Sequence, residues 1–226
     1  VLQKLSETLV KQKLISSPVL TADYYVAAPK NQTERFKPLS IDEARNVFSY
    51  FKNYKDGRYY LFLLIIHYTC IRPIEIHRLQ AKFFNFADRT IYIPWFSSKN
   101  GLSGHVQILD PLYEALINFG IDKMDPELYL FDGEFQPAYE MYQGDNSSDV
   151  WKKNRKKAGI PQNKQQYALK HTFNTMYVNN NKKNIDWEWL RRHNRHATVQ
   201  QTQDYISQLT AYFLDEEKSV IVNFYS

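Results

Sequence analysis

Residues 58–68 (RYYLFLLIIHY) are apolar almost all the way round a helical turn. A helix without a polar face belongs in the interior of a fold, so Arg58 to Tyr68 reads as a buried helix. Its apolar run, Tyr59 to Ile66, is far too short for a bilayer, which takes about 20 residues. No other run approaches that length, so no membrane association is expected. The first residues, VLQKLSETLVKQ, lack the apolar core and small-residue site of a signal peptide. They read instead as an amphipathic helix that starts abruptly and without Met, as in a piece of a longer protein.

The chain has 226 residues, enough for one large domain or a domain plus a fragment. Its single cysteine, Cys70, excludes an internal disulfide and every multi-cysteine zinc site; a reducing cytoplasm is the expected setting. The net charge of +5 is unevenly spread. Residues 151–200 hold 12 Lys or Arg against 2 Asp or Glu, whereas 125–149 hold seven acids and no Lys or Arg. Such asymmetry is what one basic face for a polyanion such as DNA would produce; a solvated helix surface is the plainer explanation.

Local signals divide the chain. Residues 1–15 read as a helix ending near Ser16, Ser17 and Pro18. Residues 18–38, with little apolar period, read as a linker. Ser40 and Glu43 have capping-box spacing and open a helix through Phe51. Pro73 suits the first turn of a helix to about Gln80. Thr90–Ile93 and His105–Ile108 are β-prone runs on either side of Ser97–Gly101, which reads as a hairpin with a long exposed turn. Asp110 and Pro111 cap a further helix. After Ser147 helices are expected near 148–158, 165–179, 184–193 and 198–206. The whole is mostly α with one small antiparallel sheet.

Four separated segments carry the residues for chemistry. The first is Thr69-Cys70-Ile71-Arg72-Pro73-Ile74-Glu75, leading to Leu79. The second is the hairpin turn with Lys99. The third is Tyr167-Ala168-Leu169-Lys170-His171-Thr172-Phe173-Asn174-Thr175. The fourth runs from His196 to Tyr205 with Thr202 between, the His and Tyr nine residues apart. Singly they are weak: Arg72 and Glu75 make an ordinary local ion pair, and a lysine in an exposed turn is normally just solvated. In order and spacing together they resemble the catalytic domain of tyrosine recombinases (the phage integrase family), of the bacterial mobile-element type. The family patterns are T-G-x-R-x-x-E, a turn lysine, H-x-L-R-H-T-F-x-T, and G-H followed by T-x-x-Y. The chain departs at four places. Cys70 and Arg195 stand where Gly is usual, Tyr167 where His is usual, and Lys170 where the second Arg is usual.

The resemblance implies cutting and rejoining of DNA through a covalent 3′-phosphotyrosine. Tyr205 becomes the nucleophile. Arg72 forks onto the phosphate, Lys170 adds a point charge without the fork, and His196 donates a hydrogen bond. Tyr167 becomes a possible phosphate contact, and Lys99 the general acid on the 5′ oxygen. No metal or cofactor is implied. His193 and His196 have a suggestive spacing, but no third ligand is identifiable. Lys152, Lys153, Arg155, Lys156 and Lys157 would line the DNA backbone. Partners are double-stranded DNA and further copies of the chain, a tetramer in the synapse, in the cytoplasm at the nucleoid. Residues 1–17 would be the last helix of a core-binding domain, 18–38 the linker, and 39–226 the catalytic domain with a tail that docks on a neighbouring protomer or on its own domain.

Three other readings stand beside this one. A degenerate recombinase fold could bind DNA without cutting it, as Tyr167 and Lys170 suggest. A type IB topoisomerase shares the chemistry, but the short segment after Tyr205 favours a recombinase. A helix-turn-helix regulator explains the basic helices and not the spaced Arg, Lys, His and Tyr. The basic segment yields a direct test. Reversing Lys152, Lys153, Lys156 and Lys157 to Glu should weaken binding to all duplexes alike and flatten the salt dependence of affinity. Unchanged affinity at low salt in a filter or anisotropy assay would mean that this segment faces solvent only.

Overall fold

The computed structural model describes residues 37–98 and 101–209. The helix expected at 1–17, most of the linker at 18–38, Lys99, and the tail beyond Leu209 lie outside the described residues.

Chain-local chemistry starts the fold as expected. The Ser40 hydroxyl accepts from the Glu43 N–H at 3.1 Å, and the Glu43 carboxylate accepts from the Ser40 N–H at 2.7 Å. This capping box opens α1 (Ile41–Lys52), which buries Ala44, Val47, Phe48 and Phe51. The next helix, α2 (Arg58–Thr69), follows Gly57, whose φ of 75° and close approach to the Phe119 ring disfavour any side chain there. Every residue of α2 from Tyr59 onward is buried. Its neighbours are α1, α4 (Asp110–Asn118) and α6 (Ala168–Asn180). Burial of Leu61, Phe62, Leu63, Leu64, Ile65 and Ile66 on this helix is worth about 1.5–3 kcal/mol each against exposure. That makes it the axis of the core.

The helix expected from Pro73 to Gln80 is shorter than that. α3 spans Pro73–Ile76 only. Beyond it the backbone finds better partners in an irregular segment: the Leu130 N–H donates to the Leu79 carbonyl at 3.0 Å, and the Ala81 N–H to the Leu128 carbonyl at 2.9 Å. The sheet has three antiparallel strands, β1 (Phe84–Asn85), β2 (Thr90–Ile93) and β3 (Gly104–Gln107), in the order β1-β2-β3. The pairing of Ile91 with Val106 puts both side chains on the buried face. β1 is an addition to the expected hairpin, too short to show a period.

α5 (Ser147–Asn154) buries Trp151, stacked 6.2 Å from Phe51. Helical turns continue to Ala158 and stop at Gly159, whose φ is +69°. α7 (Trp187–Asn194) and α8 (Val199–Leu209) pack on each other through Leu190, Ile206 and Leu209, with Val178 of α6. The Trp189 indole N–H donates to the Gln107 side chain at 3.0 Å and ties α7 to β3. No helix among the described residues is long and apolar enough to cross a membrane.

Two buried histidines make this packing sensitive to acid. His67 on α2 has its Nδ1 3.0 Å from the Leu169 carbonyl on α6. His193 on α7 is stacked between Phe173 at 4.9 Å and Trp189 at 4.6 Å. Burial pushes His67 down to about 4 and His193 down to about 3, the charge on Lys170 adding to the second shift. Both lie below the ordinary 6.5, so the unfolded chain takes up protons first as pH falls. Stability should therefore be whole above about pH 6.5 and drain toward pH 4, at up to about 1.4 kcal/mol per pH unit for each histidine. Urea midpoints at pH 7.5 and 4.5 measure the loss, and His193→Phe should flatten part of it. An equal loss in that variant would remove His193 from the account.

Candidate active site

Two left-handed turns bring the site together. Cys70 ends α2 at φ 58°, and Arg195 ends α7 at φ 55°. These are the two places where the family pattern expects glycine. A side chain at such a backbone costs about 1–2 kcal/mol, and strain of this kind gathers at functional sites. Cys70 turns the chain so that Arg72 becomes the extended cap of α3. Arg195 sets up a terminal turn in which the His196 N–H donates to the Arg191 carbonyl at 3.0 Å. The Arg191 guanidinium donates in return to the His196 carbonyl at 2.9 Å.

One carboxylate joins the two turns. Glu75 is fully buried. It accepts from the Arg72 N–H and the Arg72 guanidinium, both at 3.1 Å. It also accepts from the Arg195 guanidinium, 120 residues away in sequence. Each guanidinium has five donors, so both retain donors after serving Glu75.

α6 supplies the opposite wall. Lys170 is 4% exposed, with its ammonium 5.6 Å from the ring centres of both Tyr167 and Tyr205. Aromatic faces at that distance attract the cation. Tyr167 caps the helix and meets His171 edge to face at 5.5 Å. One turn on, the Asn174 side-chain amide donates to Cys70 Sγ at 3.3 Å and exchanges hydrogen bonds with Asn194 of α7, at 3.2 and 2.6 Å. That amide pair fixes α6 against the turn bearing Arg195 and His196.

α8 brings Tyr205. Its hydroxyl lies 2.6 Å from His171 Nδ1. Its ring stands 5.5 Å from the His196 ring at 80°. Burial raises the Tyr205 phenol well above its usual 10, with Cys70 and Tyr167 adding to the effect. His196 Nδ1 lies 3.0 Å from the Thr202 hydroxyl. Burial, then the charges on Lys170 and Arg72, push His196 down to about 4, so it is neutral near pH 7. The Thr202 hydroxyl also lies 3.4 Å from the Thr198 carbonyl; in the tautomer where it donates to Nδ1 instead, Nε2 carries the N–H. The cluster can therefore hold an anion between guanidiniums, an ammonium and a neutral imidazole donor, next to a hydroxyl paired with a base.

Of the residues expected to act, Arg72, Lys170, His196, Tyr205 and Tyr167 gather here. Lys99 lies outside the described residues; its flank is anchored by the Ser97 hydroxyl on the Arg78 carbonyl at 3.2 Å. The basic segment has other contacts. Lys152, Lys153, Lys156 and Lys157 are exposed, and Lys152 pairs with Asp149 at 3.3 Å. Arg155 is half-buried and donates to the Gln162 carbonyl at 2.6 Å, which braces the turn after α5. Two further residues of the cluster are given no role by the sequence patterns, although His171 matches a fixed place in the third one. His171 stands in plain view in the third segment, one helical turn from Tyr167. Arg195 is visible only as a replaced glycine.

A family model described as the phage integrase family matches residues 37–211. Among solved structures, the chain is similar to XerA recombinase, with 22% identity, a TM-score of 0.59, and coverage of 81% of this chain and 66% of that one. It is also similar to the Tn1549 transposon integrase in complex with circular intermediate DNA, at 15% identity and a TM-score of 0.65, covering 93% and 75%. A third likeness is the integrase from mycobacterium phage Brujita, at 16% identity and a TM-score of 0.53, covering 98% and 71%. The chain thus spans 66% of the length of the XerA recombinase chain. At these identities the likeness extends to the fold alone. No curated protein matches the chain.

Proposed function

Because the chain belongs to the phage integrase family, we propose that it is an active DNA strand transferase that cuts and rejoins duplex DNA through a 3′-phosphotyrosine at Tyr205. One observation carries the reading. Arg72, Lys170, His196 and Tyr205 come from separate segments and converge on one partly buried point.

The chemistry follows from what each group offers. The Tyr205 oxygen attacks the scissile phosphorus, forming a P–O(Tyr) bond as the bond to the 5′ oxygen breaks. The phenol is held protonated by burial, so it needs a base as it attacks. His171 Nδ1, at 2.6 Å, is placed to take that proton when its ring carries the hydrogen on Nε2. Arg72 and Lys170 neutralise the non-bridging oxygens. The neutral His196 adds a hydrogen bond, and Lys99 protonates the departing 5′ hydroxyl. The phosphotyrosine keeps the bond energy, so rejoining needs no ATP and no step calls for a metal. The partner is double-stranded DNA; the similar Tn1549 integrase was solved in complex with circular intermediate DNA. Copies of the chain would assemble on it, as a tetramer in the synapse, in the cytoplasm at the nucleoid.

Binding without cutting is the competing reading. Lys170 favours it, since an ammonium held between two tyrosine rings cannot fork across two oxygens.

A nicked suicide duplex bearing the recombination site of the chain's own element separates the two. The wild-type chain should form a covalent adduct on a denaturing gel. Tyr205→Phe should abolish the adduct and leave binding in place, and an undiminished adduct would remove Tyr205 as the nucleophile. His171→Gln, which keeps a polar group without the base, should slow adduct formation by about 100-fold or more. An unchanged rate in a folded variant would make His171 a packing residue.

A further inference from the structure

We propose that Arg195 is the second guanidinium of the phosphate site and takes over the work of the arginine that Lys170 replaces. The inference rests on the strand-transfer reading above and names a residue that neither the motif nor that reading assigns.

Placement supports it first. Arg195 and Arg72 share Glu75, so the two guanidiniums flank one buried carboxylate. Arg195 also lies close enough to Cys70, beside Arg72, to act on its thiol together with Lys170. Two guanidiniums thus share one buried carboxylate, and Lys170, whose charge reaches Cys70 and His196, adds a third cation to the site. A five-coordinate phosphorus in the transfer step carries two charges on its non-bridging oxygens, and a matching fixed charge is what stabilises it.

Beyond its contact with Glu75, the fold gains little from this side chain. Its backbone is left-handed at φ 55°, a conformation glycine adopts without strain. The turn is already secured by Arg191, which holds the His196 carbonyl at 2.9 Å, and by the Asn174–Asn194 amide pair. The neighbouring strand leaves room: Gly104 opens β3, and even a Cβ there would touch Arg195 Cδ at 3.6 Å. The Arg195 side chain is 13% exposed, so it is mostly buried and still reaches the surface. A strained, mostly buried arginine with unused donors, whose charge acts on Cys70 together with that of the lysine that lost the fork, is placed to bind an oxyanion.

A charge-removal experiment tests this in the intact chain. Suicide duplexes are made with the ordinary phosphodiester or with a methylphosphonate at the scissile link, which lacks one charged oxygen. Arg195→Gly suits the turn's backbone and removes the cation. On the phosphodiester it should slow adduct formation by about 10- to 100-fold, as expected for one charge-assisted contact. On the methylphosphonate the penalty should shrink to a few-fold or less. Adding Lys170→Arg should restore much of the lost rate. An equal penalty on both duplexes, or no penalty, would overturn the proposal and leave Arg195 as a brace for Glu75. If the wild-type chain forms no adduct, the strand-transfer reading fails, and binding still judges Arg195. Its loss should then lower the salt slope of affinity for the phosphodiester duplex by about one phosphate. An unchanged slope would overturn the assignment.

Discussion

The buried carboxylate of Glu75 is the contact on which the site depends. An ionised carboxylate taken fully out of water is costly unless charges and hydrogen bonds surround it. Here three donors do so: the Arg72 N–H, the Arg72 guanidinium and the Arg195 guanidinium. Two come from the residue three places upstream, the third from the far end of the domain. The carboxylate can be comfortable only when the turn after α2 and the turn after α7 sit side by side. Folding and assembly of the charged pocket are then one event. The cations are pre-positioned by a group that never has to touch substrate, which is how a site avoids reorganising when charge develops.

The two left-handed turns follow the same logic. Cys70 and Arg195 accept a backbone that glycine would take without strain. Cys70 compensates inside the core, where its sulfur receives the Asn174 amide at 3.3 Å. Arg195 compensates through Glu75. Backbone strain at these points is offset by contacts that aim side chains at one place, as happens where geometry serves chemistry.

Much of this is legible from residue patterns, and the gaps have physical causes. α2 is visible because a helix without a polar face has one place to go, and Ser40 and Glu43 announce α1 by reciprocal capping. The hairpin strands follow from β-branched runs. The apolar spacing after Pro73 suits a longer helix than the one that forms, because pairing with 128–130 claims the backbone beyond Ile76. β1 has two residues and therefore no period. Arg72, Lys170, His196 and Tyr205 can be singled out by order and spacing. Their common pocket cannot, since it depends on Glu75, Asn174 and Asn194 meeting across long separations. Arg155 reads as one more cation of a basic run, but a carbonyl seven residues on occupies its guanidinium. Charge counts do not reveal which cations the fold already uses.

The electrostatics of the pocket point one way. Its phenol is pushed up and His196 is pushed down to about 4, both first by burial. Desolvation here acts against forming charge on either group, yet Arg72, Lys170 and Arg195 remain as cations beside them. Like charges lie near one another here, with the Glu75 carboxylate between two of them. On the strand-transfer reading, a phosphodiester offsets that repulsion with its own negative charge. Its arrival should also favour the tyrosine oxygen as its proton passes to His171, because the charge that develops moves onto oxygens already faced by cations. Burial, which keeps the Tyr205 phenol protonated, would on that reading also strengthen the field around the bound phosphate. On that reading, a partly buried tyrosine that is a poor nucleophile by itself becomes a selective one when the incoming phosphate completes the charge pattern around it.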